Sequence, residues 1–214
     1  MREATAGRQR TAPAGETNDA PSPVLNIIGD QVARGPLRRE LIPLYQRWRN
    51  DFHVQRTFGD VPMGRTEEWV TAWYERQATT TDALWFTVYE RAALRPIGHT
   101  DLFHVDYRNR TAEWGILIGE ADARGRGYGT ETARLMLDYA FTALGLHSVL
   151  LATDEFNLAG RRAYEKAGFR EFGRRRQCRW MNGRYWDTVY MECLATEFTS
   201  PILGRIFVPD QPRR

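Results

Sequence analysis

The sequence predicts an α/β fold of the α+β kind: a single mixed, mostly antiparallel sheet with helices on both faces. Three observations lead there. Strand-like runs at 84–90 ("LWFTVYE"), 96–105 ("PIGHTDLFHV") and 112–119 ("AEWGILIG") follow one another across short links, the pattern of a β-meander. An amphipathic helical stretch at 130–143 and a nearly continuous apolar run at 147–154 ("HSVLLATD") come next, the pattern of a helix leading into a buried strand. Asn182-Gly183 then separates two further strand-like runs and is the best short hairpin signal in the chain.

From the N-terminus, residues 1–23 are rich in Thr, Ala, Gly and Pro, lack apolar periodicity and read as a disordered tail. Residues 24–33 ("VLNIIGDQVA") read as the first strand. Leu37, Leu41, Leu44, Tyr45 and Trp48 share one helical face, and Pro43 either kinks that helix or starts its main part. A second helix runs from about Thr66, its N-cap, with Trp69 and Trp73 one turn apart. In the helix at 130–143, Ala133, Met136, Leu137, Ala140 and Leu144 form the apolar stripe, and Gly145 is suited to cap its end. A short helix at 158–167 is closed by Gly168. In the terminal hairpin a two-residue turn puts Cys178 opposite Asp187 and Cys193 opposite Phe172, so the cysteines are not partners. Residues 197–214 read as a less regular tail, leaving 24–196 as the domain.

Composition sets the class. A chain of 214 residues suits one domain with tails, and seven tryptophans supply a real core. Two cysteines argue against a disulfide scaffold and fit a reducing compartment. No run approaches the ~20 apolar residues of a membrane span, and no signal-peptide core is present, so a cytoplasmic protein without membrane contact is expected. Net charge is +3, with arginine far outnumbering lysine. That balance suggests anionic ligands, but it is spread along the chain, so nucleic acid is not the expected partner.

Between the third meander strand and the following helix stands "RGRGYGTE", residues 124–131, with Gly125, Gly127 and Gly129 on alternate positions. Glycine tolerates positive φ and lets another molecule approach the backbone. The first N–H groups of a helix lack internal partners, and its dipole adds about half a positive charge there. Together these make an anion cradle for phosphate or pyrophosphate. Arg124 and Arg126 can add charge-assisted bonds. A G-x-x-x-x-G-K-[ST] phosphate loop is excluded, since lysine and spacing are absent; a dinucleotide G-x-G-x-x-G is excluded by the G-x-G-x-G spacing. About 30 residues on stands "NLAGRRAYEKAGF", residues 157–169. Asn157 lies just past the buried strand and Tyr164 two helical turns later, so both can share a face. A strand-end amide can bond an amide-bearing ligand, and a phenol can protonate a leaving thiolate.

The first stretch is similar to the R/Q-x-x-G-x-G/A acyl-CoA motif of the GNAT superfamily of N-acetyltransferases. The second resembles that superfamily's N-x-x-A-x-x-x-Y-x-K-x-G-F segment, with Gly160 where the family often has serine or another small residue. The run from 96 to 190 looks most like the branch of ribosomal-protein N-terminal and spermidine acetyltransferases, and the likeness extends over about 24–195. The resemblance implies a sheet splayed between its fourth and fifth strands. It also implies acetyl-CoA as cosubstrate, an amine acceptor, direct attack in a ternary complex and no metal. Ile116, Leu117 and Ile118 would pair with the pantetheine arm. The pyrophosphate would rest on the N–H groups of Arg124, Gly125, Arg126, Gly127, Tyr128, Gly129 and Thr130. Asn157 would bind pantetheine, and Tyr164 would be the general acid.

Glu113, at the start of the strand beside the splay, is the candidate general base, ahead of His99 and His104. The acceptor site is expected from the first two helices, the loop at 50–66 and the terminal hairpin. Asp51 and Asp60 in that loop, with His99, are the candidate acceptor contacts. Whether the acceptor is a polyamine, another small amine or a protein N-terminus stays open. A homodimer or higher homo-oligomer is expected. Two other readings also remain: a non-catalytic acyl-CoA sensor, or a nucleic-acid module using Arg174, Arg175, Arg176 and Arg179 with Trp180, Tyr185 and Trp186.

Overall fold

The structure, a computed structural model, describes residues 22–59 and 61–210. Among these residues eight strands form one sheet in the order β1-β2-β3-β4-β5-β6-β8-β7. The strand expected at 24–33 is two: β1 (Ile27–Ile28) and β2 (Val32–Pro36) pair as a tight hairpin. The break falls at Gly29-Asp30, where Gly29 N donates to Val32 O at 2.8 Å. The Glu131 carboxylate accepts from Gln31 N at 2.9 Å and pins the turn from another element.

Helix α1 (Ile42–Asn50) carries Pro43 in its first turn, where the missing N–H costs nothing. The short α2 (Phe52–Gln55) follows, capped by Asp51. Thr66 caps α3 (Glu67–Thr79) by accepting from Trp69 N at 3.2 Å. The meander is β3 (Leu84–Glu90), β4 (Arg95–Asp106) and β5 (Thr111–Ile118), antiparallel throughout. Helix α4 (Tyr128–Asp138) starts earlier than the periodicity suggests, because Gly127 at φ +88° caps it. It runs on through a π-helical turn, Tyr139–Ala143. Then come β6 (Ser148–Asp154), α5 (Leu158–Ala167, closed by Gly168 at φ +119°), β7 (Arg170–Met181) and β8 (Arg184–Leu194).

The pair β5–β6 is parallel; every other pair is antiparallel. It holds for three residues only, from Thr111↔Ser148 to Glu113↔Leu150, and stops. This is the expected splay, now between the fifth and sixth strands because the first expected strand is split.

The hairpin register departs from the two-residue-turn count. Pairing follows it from Met181↔Arg184 to Arg179↔Trp186. Extra residues around Gln177 (φ +50°) then shift it to Arg175↔Thr188. Cys178 lies in that bulge, with its thiol 3.1 Å from Thr188 Oγ1 rather than opposite Asp187. Cys193 pairs with Val149 of β6 instead of Phe172. Both thiols are free.

Alternation along β5 sorts the core into two faces. Trp114 and its even-numbered neighbours pack with α4, α5 and Phe169. Leu117 packs with α1 and α3, through Tyr45, Trp48, Val70 and Trp73. The segment after β8 is irregular but docked. Buried Asp138 accepts from Ser200 Oγ (2.5 Å), Ile202 N (3.0 Å), Leu203 N (2.9 Å) and Thr142 Oγ1 (2.9 Å), and Leu203 is buried.

Candidate active site

The splay opens two cavities that meet. The first, about 410 Å³, lies between the diverging end of β5 and the N-terminal ends of α4 and α5. Its wall includes Ile116, Leu117, Ile118, Arg124, Gly125, Gly127, Gly129, Thr130, Asn157 and Tyr164. The glycines divide the work. Gly125 (φ +75°) and Gly127 (φ +88°) hold the left-handed backbone that turns the chain into α4. Gly129 is helical, and beyond its own helix backbone and chain neighbours a methyl built there meets no atom of the described residues within 4 Å. It borders the open cavity. The first intrahelical bond runs from Glu131 N to Gly127 O at 3.1 Å, so the N–H groups of Tyr128, Gly129 and Thr130 precede it and stay available to an anion.

The arginines of the loop behave differently from the sequence reading. Arg124 folds back onto the chain, donating to Ile118 O (3.2 Å) and Gly119 O (2.9 Å) and approaching Asp51 at 3.4 Å. Arg126 pairs with Glu90 at 3.3 Å, and the Tyr128 hydroxyl donates to the same carboxylate at 2.7 Å. Arg126 and Tyr128 therefore line neither cavity, and only their backbone can serve the cradle. Two cations the sequence reading missed, Arg162 and Lys166 on α5, do line the first cavity. Their i, i+4 spacing was the available signal.

Asn157 is both a cap and a wall. Its Oδ1 accepts from Gly160 N at 3.1 Å, and its Nδ2 donates to Thr153 Oγ1 at 3.1 Å. Gly160 permits this closeness: a methyl there would stand 2.4 Å from Asn157 Nδ2. Tyr164 sits edge-on to Trp114, with ring centroids 5.4 Å apart. Burial pushes its phenol up to about 12, so the proton is firmly held.

The second cavity, about 680 Å³, opens on the α1–α3 side. Thr57, Phe58, Ile116 and Tyr164 line both cavities and form the junction. The outer wall is aromatic, with Trp69, Trp73 and Trp85, and carries three carboxylates: Asp82, Asp101 and Glu113. Glu113 occupies the last paired position of β5 before the fork, and its Oε1 lies 2.9 Å from His104 Nδ1. Asp101 is buried. Burial raises its carboxyl to about 7, opposed by the Arg49 guanidinium. Arg49 itself stacks over Trp73 at 4.3 Å.

Several expected contacts lie elsewhere. His99 is fully buried, ringed by Tyr45, Phe58, Trp73 and Trp85 at centroid distances of 5.4–6.4 Å, and lines neither cavity. Desolvation there holds the imidazole well below its ordinary range. This placement removes it as an acceptor contact. Asp51 also lines neither cavity. Its carboxylate is committed to capping α2, through His53 N at 2.8 Å, and to Arg124. Asp60 lies outside the described residues. The terminal hairpin contributes nothing to the second cavity's wall. It reaches the 50–66 loop instead, where Arg179 donates to Gly59 O at 3.0 Å. Within the hairpin's arginine run, Arg174 pairs with Glu171 and Glu155, and Arg179 with Asp154.

Comparison with known proteins is consistent with this architecture. The family model described as an acetyltransferase (GNAT) domain matches residues 34–170. A spermidine N(1)-acetyltransferase of Vibrio cholerae is 33% identical over 111 residues, 52% of this chain and just under two thirds, 64%, of that enzyme. The spermidine N(1)-acetyltransferase of Escherichia coli K12 is 28% identical over 159 residues, 73% of this chain and 82% of that one. A crystal structure of the Vibrio cholerae spermidine N-acetyltransferase in complex with CoA and spermine superposes with a TM-score of 0.72 at 26% identity. It covers 78% of this chain and 97% of that one. A dodecameric structure of the same Vibrio cholerae enzyme is also similar, with a TM-score of 0.65, but at 24% identity it supports the fold alone.

Proposed function

Since this chain belongs to the acetyltransferase (GNAT) family, we propose that it transfers an acetyl group from acetyl-CoA to the nitrogen of a primary amine. The observation that carries this reading is the pair of cavities sharing Thr57, Phe58, Ile116 and Tyr164, a phosphate cradle on one side and a carboxylate-bearing aromatic chamber on the other. Acetyl-CoA fits the first. The residues that would hold it are the free N–H groups at the start of α4 for the pyrophosphate, the open backbone edge of Ile116, Leu117 and Ile118, and Asn157. Gly129 leaves the space a methyl would fill. When bound, acetyl-CoA supplies an activated acetyl group, so no protein nucleophile is needed.

The residues have separable tasks. The splay holds the two substrates on either side of Ile116. Phe58 and Tyr164 give the junction an aromatic, low-dielectric wall, which strengthens the electrostatics beside it. Tyr164, with its proton held, is placed to donate to the departing sulfur. The cavity carboxylates attract a cationic acceptor and include the group that takes its proton. Spermidine heads the acceptor candidates because the relatives named above acetylate it, ahead of a peptide N-terminus. We carry forward homo-oligomerisation, supported by the exposed aromatics Phe172, Trp180 and Tyr185 on the edge hairpin, and a cytoplasmic setting, where acetyl-CoA is at hand.

The test is calorimetry with acetyl-CoA and CoA, followed by thiol release with an amine panel. Micromolar binding and amine-dependent thiol release are expected. Absence of acetyl-CoA binding to the pure protein defeats the proposal. Light scattering on the same sample gives the assembly state.

A further inference from the structure

Three strands place a row of unlike residues across the sheet on the acceptor side. Trp85 of β3 pairs with Asp101 of β4, and Asp101 pairs with Gly115 of β5. The row has an aromatic wall at one end and a gap at the other. A methyl at Gly115 would lie 2.9 Å from Asp101 Oδ1, so the glycine keeps the carboxylate's surroundings open.

Asp101 is 5% exposed and lines the cavity, yet among the described residues no group donates a hydrogen bond to it. A buried carboxylate without a donor is costly, and such a group calls for a ligand that donates. The charged and titratable groups around it are few. Arg49 faces it from α1 and Arg76 lines the cavity from α3. Asp82 comes from the link before β3, His99 and His104 from β4 itself, Glu113 from β5 and Tyr164 from α5.

Register separates the candidate bases. Ile116, in the wall of both cavities, pairs with Thr100; Asp101 pairs with Gly115 and Phe103 with Glu113. Asp101 thus stands one residue from the junction. Glu113 stands three residues away, about 10 Å along the strand, at the fork and engaged with His104.

Resting on the transferase reading above, we propose that Asp101 receives the acceptor's ammonium and takes its proton. An N–H bond of the ammonium breaks, its electron pair stays on nitrogen as the nucleophilic lone pair, and the proton forms an O–H bond on Asp101. The proton returns to solvent through the open cavity after transfer. Burial holds the carboxyl near 7, where its ionised form is abundant at neutral pH and still basic enough to accept.

The test compares Asp101→Asn, Asp101→Glu and Glu113→Gln, with spermidine, n-butylamine and a hexapeptide with a free N-terminus as probes. For Asp101→Asn, kcat/KM for the amine falls by about 100-fold or more, acetyl-CoA affinity by calorimetry stays within about twofold, and the acid limb near pH 7 disappears. Asp101→Glu restores part of the rate, and Glu113→Gln keeps the limb. Loss of the limb in Glu113→Gln with its retention in Asp101→Asn overturns the proposal. So does acetyl-CoA binding with none of the three probes acetylated by the wild type, since a pocket built for an ammonium should accept at least one. Absence of acetyl-CoA binding to the wild type defeats instead the transferase reading on which the proposal rests.

Discussion

Replacing Gly129 by alanine separates folding from cosubstrate binding. Gly129 is the second residue of α4, its φ is not left-handed, and beyond its own helix backbone and chain neighbours an added methyl meets no atom of the described residues within 4 Å. The fold should therefore gain. Glycine to alanine at a compatible position stabilises by about 0.4–1 kcal/mol, chiefly by restricting the unfolded chain. For a chain of this length that raises Tm by roughly 1–4 °C. The same methyl projects into the cavity beside the free N–H groups of the helix end. If it displaces a phosphate oxygen from one of them, a charge-assisted hydrogen bond of about 1.5–3 kcal/mol is lost. At about 1.4 kcal/mol per tenfold, CoA binding weakens by roughly 10- to 140-fold. Thermal unfolding and calorimetry with CoA read the two effects on one sample. Gly173→Ala, on the edge strand with equally open space, is the control and should leave CoA affinity unchanged. A raised Tm with unaltered CoA affinity in Gly129→Ala refutes the bare-backbone cradle.

Other outcomes follow from the same geometry. Tyr164→Phe should lower turnover by about 100-fold while acetyl-CoA affinity stays within about twofold; an unchanged rate in a thiol-release assay removes the phenol from its role. Asp101 titrates near 7 in the fold against 3.8 as its ordinary value. A raised carboxyl contributes stability that is full below about pH 4 and lost as pH rises through 7. Asp101→Asn should accordingly melt with the wild type at pH 4 and above it at pH 8, and equal melting at pH 8 contradicts the buried carboxylate. Asp138→Ala strips an acceptor from four donors and should cost about 2–4 kcal/mol. It should also release the backbone around the exposed Arg205 for trypsin cleavage, and a cleavage rate equal to wild type would show that the C-terminal segment is held by something else.

What the sequence made legible was local. Thr66 as a cap, Pro43 in a first turn, Gly168 as a closure and the Asn182-Gly183 turn each depend on a few neighbouring residues, and each stands where the sequence places it. The glycine loop belongs with them, since helix-end chemistry is written in consecutive residues. The break between β1 and β2 falls on Gly29-Asp30, a local turn signal passed over in reading 24–33 as one strand, and Glu131, about 100 residues away, secures it. The hairpin register failed at Gln177, whose positive φ no composition announces. Asp51 carried a readable signal, an acidic residue directly before a helical turn, which marks a cap rather than a ligand. The acceptor chamber was hardest to read, because its walls come from α1, α3, β3, β4, β5, β6 and α5. Even there a clue existed: Asp101 is the one carboxylate within residues 97–102, the buried run of β4. A charge in that setting calls for a reason.

The three-residue seam between β5 and β6 has a mechanical consequence. Strands β1–β5 form one plate and β6–β8 another, and backbone bonds rivet them together only at the Glu113 end. The plates are otherwise held by side chains, through α4 and Trp114 stacked on Phe169. Such an object resists shear within each plate and yields at the hinge line between them. Amides of residues 114–118, along the unriveted edge, should exchange with solvent sooner than those of β4 behind them. Any extended molecule that bridges the open edge acts as a further rivet, so ligand binding should stiffen this molecule across its full width rather than only at the pocket.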